Sequence, residues 1–534
     1  MYSEYVLKMV PKVLTQVDRD KHSINYGDCD RNHWHLKVRD FSSAILQQMG
    51  LTLALLYTQD FSGNVFYCKD IVKEWAIGTV YYWKSIQLRD GSFNEYYPNE
   101  HGFPPTAFSF YAMCETYKRL DMNDPKILQA FVKTAHYLTA HVEEKAYNQE
   151  LASITALYSA YTVLKEDWIL EGMNRKLERI LKLQSAEGWF PEYGGADIGY
   201  LSVSLDMLAE YYWMSRDERV LEPLNKVVGF LQYFIHPDGS VGGEYASRNT
   251  TYFLPNGLQV MSNLGNEQAT AMLRFLYQSP EKNFFFLDAV DDRYCSHYLL
   301  HSFMRAIEKA AEAENQNNTV SALPFQYDQK RFFKEGGLLS YTQGEKYIII
   351  GAFKGGVCQT FDKGKSVFSD YGYRVELGKG KVAATNWQSA DYKVEYEEPY
   401  KIKITGNMNL VKQKVATPVM LAGLRVVSAV VGNKIIGMLK KMIILVDKKT
   451  DIWFERLISI REDSLVIEDR INSPASINLE CADSFSLRHV ASGKFFALVD
   501  IGCHSRLQYP GIRKIQIQRT FYFDSGEIEE KVII

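Results

Sequence analysis

Apolar positions recur every three or four residues through the first half of the chain and every two residues through the second. Segments 41–57, 108–120, 127–138, 151–164, 168–183, 201–214 and 220–234 carry the longer spacing, which predicts amphipathic or buried helices. Asp124-Pro125 and Ser204 supply helix-start or early-turn chemistry. About ten to twelve helices fit before residue 315 at ordinary helix and loop lengths. From about residue 337 the period is two. KYIIIGAF, YRVEL, YKIKITG, LRVVSAVV, KMIILVD, LVIEDRI, KIQIQRTFYF and EIEEKVII are short and β-branched, with turn residues between them. They predict an antiparallel β-sandwich. The polar stretch EAENQNNTV, 312–320, marks the change, so the chain divides into 1–325 and 326–534.

The helical half repeats itself. RDGSFNEYYPNE, AEGWFPEYGG and PDGSVGGEYASR each place a Gly (91, 188, 239) before a Glu-Tyr pair: Glu95-Tyr96, Glu192-Tyr193 and Glu244-Tyr245. The glycines are 97 and 51 residues apart, which fits a unit of about 50 residues with one decayed copy near 140. A hairpin of that size cannot bury its apolar face alone. Five to six of them predict an incomplete (α/α) toroid whose loops gather on one rim. The expected fold is therefore α+β and multidomain: an N-terminal (α/α) toroid followed by a C-terminal antiparallel β-sandwich.

Charge and cysteine usage narrow the function. With 61 Lys+Arg against 64 Asp+Glu the net charge is −3, so no global basic field points to nucleic acid. Aromatic content is 13%, with 35 Tyr, which excludes a mainly disordered chain and suits a surface that stacks on sugar rings. Seven Cys, widely spaced and without a CxxC pair, suggest neither a zinc ribbon nor a disulfide framework. The opening MYSEYVLKMVPKVLTQVDRD lacks the apolar core of a signal peptide, and no apolar run reaches 18 residues. A cytoplasmic protein without a membrane span is expected.

Three loop clusters carry candidate chemistry. The first, 26–40, packs Asp28, Asp30, Arg31, His33, Trp34, His35, Lys37 and Arg39 ahead of a helix. Arg grips a carboxylate bidentately and Trp stacks on a pyranose face, although a salt-bridged N-terminal cap fits the same residues. The second, EYYPNEHGFPP, sets Asn99, Glu100 and His101 on a loop fixed by Pro and Gly, with His101 a candidate general acid or base. The third, GGEYASRNTTY, presents Glu244, Tyr245, Arg248 and Asn249, and an Arg beside a Tyr favours its phenolate. His297 and His301 have metal-ligand spacing on a helix but lack an evident third ligand, and His489 and His504 have none, so no metal or other cofactor is assigned. No Walker loop, Rossmann glycine motif or GxSxG occurs.

The order of toroid then sandwich, with DCDRNHWHLKVRDF, YYPNEHGFPPTAF and GGEYASRNT, resembles the heparinase II/III-like and alginate-lyase superfamily, including proteins of bacterial surface-polysaccharide loci. The resemblance implies a polysaccharide lyase acting by β-elimination on an acidic, uronate-containing glycan. It assigns Asn99 to the uronate carboxyl, with His101 and Tyr245 as proton-transfer groups. Arg248, Asn249, Glu244, Glu100, Arg31, Trp34, His35 and Arg39 would line the substrate path. Two alternatives stand beside it: a glycoside hydrolase using Glu95, Glu100, Glu192 or Glu244, and a non-catalytic protein for glycan binding or surface-polysaccharide assembly.

Overall fold

The computed structural model describes residues 2–277, 292–312, 320–397, 400–412, 416–431, 448–482 and 508–533. All the described residues before 313 are helices and loops. They comprise α1 (Tyr2–Leu14), α2 (Arg31–Trp34), α3 (Met49–Thr58), α4 (Asp70–Ser85), α5 (Phe103–Arg119), α6 (Pro125–Ala140) and α7 (Tyr147–Leu164). After these come α8 (Asp167–Leu181), α9 (Ile198–Ser215), α10 (Leu221–Leu231), α11 (Pro255–Asn263), α12 (Glu267–Tyr277) and α13 (Leu300–Glu312). Every helix read from the periodicity is present, with ends set by local chemistry. Asp124 caps α6 by accepting from the Lys126 amide at 2.7 Å, and Pro125 fills its first position. The expected helix over 41–57 begins only at Met49, after a 3₁₀ turn, because Ser42 and Ser43 are held by Asp28 and Asp30.

Helices α3, α5, α7, α9, α11 and α13 pack each against the next, and α13 packs back on α3. The packing order thus returns from α13 to α3. Polar, buried contacts also brace α13 against α9. Arg305 of α13 donates to Asp206 at 2.5 Å and to Glu210 at 3.1 Å, both on α9, and Lys309 reaches Glu210 at 2.6 Å. Outside lie α4, α6, α8, α10 and α12, which bury one face and expose a charged one. The repeated glycines explain how the layers meet. Gly91 has φ +89° and an added Cβ would stand 2.3 Å from the Lys133 carbonyl oxygen of α6. Gly188, at φ +105°, meets the Lys226 carbonyl of α10 at 2.3 Å. Only a residue without a Cβ accommodates both the conformation and the approach.

The strand half opens with a five-stranded antiparallel meander: β1 (Gln329–Phe333), β2 (Leu338–Gln343), β3 (Lys346–Gly351), β4 (Val357–Asp362) and β5 (Lys365–Asp370). β3 is buried on both faces. Tyr347 and Ile349 join the core of the helical half, while Ile348 and Ile350 join a second core beneath the next sheet. That sheet has eight strands: β6 (Tyr373–Glu376), β7 (Lys381–Ala384), β8 (Lys393–Glu397), β9 (Lys401–Lys412), β10 (Lys449–Ile460), β11 (Ser464–Cys481), β12 (Gln508–Tyr522) and β13 (Ile528–Ile533). Its ladder runs β10-β9-β7-β6-β11-β12-β13, and β10 also pairs with β11, so five strands close on themselves. This departs from a simple sandwich. The long β9 and β11 permit it, since each pairs with one neighbour in one stretch and another in the next.

One expected strand is a helix. LRVVSAVV lies within α14 (Pro418–Val431), which Pro418 opens and where the Thr417 hydroxyl accepts from the Met420 amide. The expected strand KMIILVD falls outside the described residues, as do 313–319 of the expected boundary.

Two variants test this scheme. Arg305→Met leaves Asp206 and Glu210 buried with one partner fewer, and is expected to lower unfolding free energy by about 3–5 kcal/mol. Gly188→Ala should lower it by about 1–3 kcal/mol through strain at positive φ. Denaturant midpoints equal to wild type would refute both.

Candidate active site

The loops that precede the inner helices bring distant residues together. Asp197 caps α9, accepting from the Tyr200 amide at 3.1 Å, and its other oxygen accepts from the Arg248 amide at 2.9 Å. One carboxylate thus fixes two rim loops. It aims the Arg248 side chain over the Tyr193 ring, 4.2 Å from the centroid, and near Tyr200 at 5.4 Å. Arg248 is only 6% exposed, yet its Nε and Nη1 make no hydrogen bond among the described residues. A buried guanidinium with unused donors is costly, and binding sites are where such costs occur.

Glu192 stands beside it. Its Oε1 lies 3.8 Å from Arg248 Nη1 and accepts no hydrogen bond, while Oε2 accepts from Asn148 Nδ2 at 2.5 Å. Burial pushes the Glu192 carboxyl up to about 8, against the lowering pull of Arg248 and Asn148. At neutral pH it carries a proton.

A belt of tyrosines continues the site. Tyr200, Tyr252 and Tyr298 follow one another with ring centroids 6.1 and 6.0 Å apart, and the Tyr252 and Tyr298 hydroxyls are 2.9 Å apart. His297 packs on Tyr294 at 5.2 Å and on Tyr298 at 5.8 Å, inside a π turn where its ψ is −127°. Its Nε2 is buried without a hydrogen bond. Burial, and then the Arg293 charge, hold His297 well below the usual imidazole range, so the ring is neutral. Arg293 reaches Glu95 at 3.5 Å and lies 5.8 Å over the Tyr96 ring. Burial, with Glu95 nearby, pushes Glu100 up to about 7.

The sequence-derived candidates separate into groups. Arg39 joins the first two clusters, pairing with Asp30 at 3.1 Å and donating to the Glu95 carbonyl. Glu100 accepts from the amides of Glu95 and Tyr96 at 2.6 and 2.8 Å, a turn-fixing role. His101 bonds Asp90 at 2.6 Å and Ser92 at 2.9 Å, and Asn99 is half-buried with φ +56°. Trp34 donates to the Gln16 carbonyl at 2.7 Å, Arg31 is half-buried, and Lys37 and His35 are exposed. Glu244 is buried, and Asn249 accepts from Lys354 of the strand half at 2.8 Å.

Tyr245 lies in the core, away from Arg248's influence. It is 1% exposed, its hydroxyl bonds His236 at 2.9 Å, and Gly351 presses on its backbone. Burial raises its pKa well above the usual phenol range, and Arg248 does not offset this. The residues that sequence reading missed are Asn148, Arg293, Tyr294 and Tyr298, which belong to no repeated motif. His297 was weighed there only as a metal ligand. Its spacing partner His301 bonds Gln48 at 3.2 Å. Among the described residues no group of three or more His, Cys, Asp or Glu is placed to hold a metal, and no helix is long and apolar enough to cross a membrane. His489 and His504 lie outside the described residues.

No family model and no curated protein matches the sequence. Solved structures do match the fold. A Paenibacillus xanthan lyase aligns over 90% of this chain and 46% of its own, at 13% identity and TM-score 0.54. The chondroitin AC lyase of Streptomyces coelicolor A3, solved with chondroitin sulphate, aligns over 90% of this chain and 67% of its own, at 10% identity and TM-score 0.52. The chain thus spans about half the length of the first and two thirds of the second. Its helical-plus-antiparallel architecture is shared with these two structures, which is the coarser level of the resemblance read from sequence.

The Glu192 proton gives a pH test. Folding raises its pKa from 4.5 to about 8, so the folded state holds the proton more tightly. Its contribution is complete below the unfolded value and is lost as pH rises toward 8. The unfolding midpoint of wild type relative to Glu192→Gln should fall between pH 5 and 8, because only the Glu192 term differs between the two proteins. Parallel profiles would remove Glu192 as a proton carrier.

Proposed function

We propose that the chain is a polysaccharide lyase that cleaves a uronate-containing glycan by β-elimination, with an (α/α) toroid over 1–325 and a β domain over 326–534. One observation carries this reading: the buried Nε and Nη1 of Arg248, without hydrogen bonds, beside the Glu192 carboxyl, which burial pushes up to about 8. An anionic carboxylate satisfies both. Its oxygens accept from the guanidinium edge and from the Glu192 hydroxyl, which neutralises the charge.

That neutralisation makes the chemistry feasible. The C5 proton of a uronate lies next to its carboxylate, and withdrawing charge from the carboxylate stabilises the enolate-like state formed when the proton leaves. In the proposed step neutral His297 takes the C5 proton, the C4–O4 bond breaks, and a C4=C5 double bond forms. Tyr298 or Tyr200, phenols kept protonated by burial, donates to the leaving O4. The proton on His297 then returns to the phenolate. Asn99, His101, Arg31, Trp34, His35 and Arg39 are proposed to line the glycan path along the rim, and Tyr245 is assigned to packing.

The test is far-ultraviolet absorbance of unsaturated uronate ends, which hydrolysis does not create, across alginate, hyaluronan, chondroitin, heparan and xanthan. Arg248→Lys keeps the charge but loses the planar pair of donors, and should lower turnover by about 10²–10³-fold. His297→Gln should lower it by about 10²–10⁴-fold. Unchanged rates in both would exclude this site. Glycan binding without new absorbance in wild type would leave the non-catalytic alternative.

A further inference from the structure

The repeated Glu-Tyr pair builds the same unit twice. Glu192-Tyr193 and Glu95-Tyr96 each begin four residues after a repeat glycine, Gly188 and Gly91. Each tyrosine ring lies under an arginine from elsewhere in the chain, Arg248 at 4.2 Å and Arg293 at 5.8 Å. Each arginine also faces the glutamate of its pair, at a distance too long for a strong charge-assisted bond. The separation is 3.8 Å for Arg248 and Glu192, and 3.5 Å for Arg293 and Glu95. By contrast Arg119, which ties α5 to α13, and Arg456, which ties β10 to β5 and β11, meet their carboxylates at 2.7 Å.

The backbone of the second unit is held firmly. Glu100 accepts from the Glu95 and Tyr96 amides, and Arg39 donates to the Glu95 carbonyl. Asp197 holds the Arg248 amide of the first unit in the same manner. The two units stand at opposite ends of the tyrosine belt. Arg248 lies 5.4 Å from the Tyr200 ring at one end, and at the other Tyr294, next in sequence to Arg293, lies 6.3 Å from Tyr252. Tyr298 is within electrostatic reach of both Glu192 and Glu95. The units differ in access. Arg248 is buried, whereas the Arg293 side chain is 27% exposed and Tyr96 is 53% exposed.

We propose that Arg293, Tyr96 and Glu95 form a second, outer subsite that takes the carboxylate of another uronate, on the same glycan whose reacting uronate sits at Arg248. The Arg293 guanidinium accepts the acid, and the exposed Tyr96 ring offers a face to the sugar that bears it. Glu95 steadies the guanidinium while the subsite is empty and competes with the incoming carboxylate. The substrate class is therefore a glycan with repeated uronates, of which the cleft reads two. The inference rests on the lyase reading for the role of Arg248.

Steady-state kinetics of the full chain on alginate, hyaluronan, chondroitin, heparan and xanthan test it, with two variants of opposite expected sign. Arg293→Met removes a charged hydrogen-bonding partner of the substrate and should raise KM by about tenfold. Glu95→Gln keeps the shape but removes the competing charge, and should lower KM by about threefold. An ion pair that serves only the fold predicts one sign for both, with KM raised and the unfolding midpoint lowered in each. An unchanged KM in Arg293→Met, or a raised KM in both variants, overturns the subsite. If wild type binds one of these polymers without cleaving it, the β-elimination reading fails by itself, and the same two signs are expected in the Kd of that polymer. Wild type that neither cleaves nor binds any of the five overturns both.

Discussion

A buried guanidinium braces the last inner helix of the ring. Arg305 is 1% exposed and sits between two carboxylates of α9, with Lys309 sharing Glu210 and Asn256 completing its shell. Two positive and two negative groups sit together away from water, so each is tolerable only because the others are present. The pairing fixes the last inner helix against α9.

The site above that cluster is built the opposite way. Around Arg305 most donors meet an acceptor, whereas around Arg248 two donors and a Glu192 oxygen meet none. The contrast lies within one protein and one ring, which separates the part that holds shape from the part suited to receive a charged ligand. The tyrosine belt supports this arrangement. Large rings with polar tips form a firm wall while keeping hydroxyls at the surface of the cluster.

Fold class was legible because periods of 3.6 and 2 are direct images of helix and strand burial. Segment 424–431 misled because β-branched residues favour strands, yet Val426, Val427 and Val430 sit on an exposed helix whose anchors are polar. The repeated Gly was meaningful as packing: Gly91 and Gly188 seat the hairpins on neighbouring helices. The repeated Glu-Tyr was meaningful in two copies, where Tyr96 and Tyr193 lie under arginines, and not in the third, where Tyr245 turns into the core. Asn148, Arg293 and Tyr298 were not legible at all. They lie far apart in sequence and in no repeated motif.

The return of α13 to α3 has a bearing on how the protein is made. The first inner helix and the last are neighbours in space but about 250 residues apart along the chain, with His301 on Gln48 and Arg119 on Glu308 among the contacts that bridge the gap. At a synthesis rate of about 5–20 residues per second, roughly 12–50 s separate their emergence. During that interval the apolar sides of α3 and α5 that α13 will cover have no partner. The nascent helices form an open arc with sticky ends, a species whose protection falls to chaperones or to transient non-native contacts. Non-local contacts of this span also slow the final step in a refolding tube, since the loop must close before the contacts reward it.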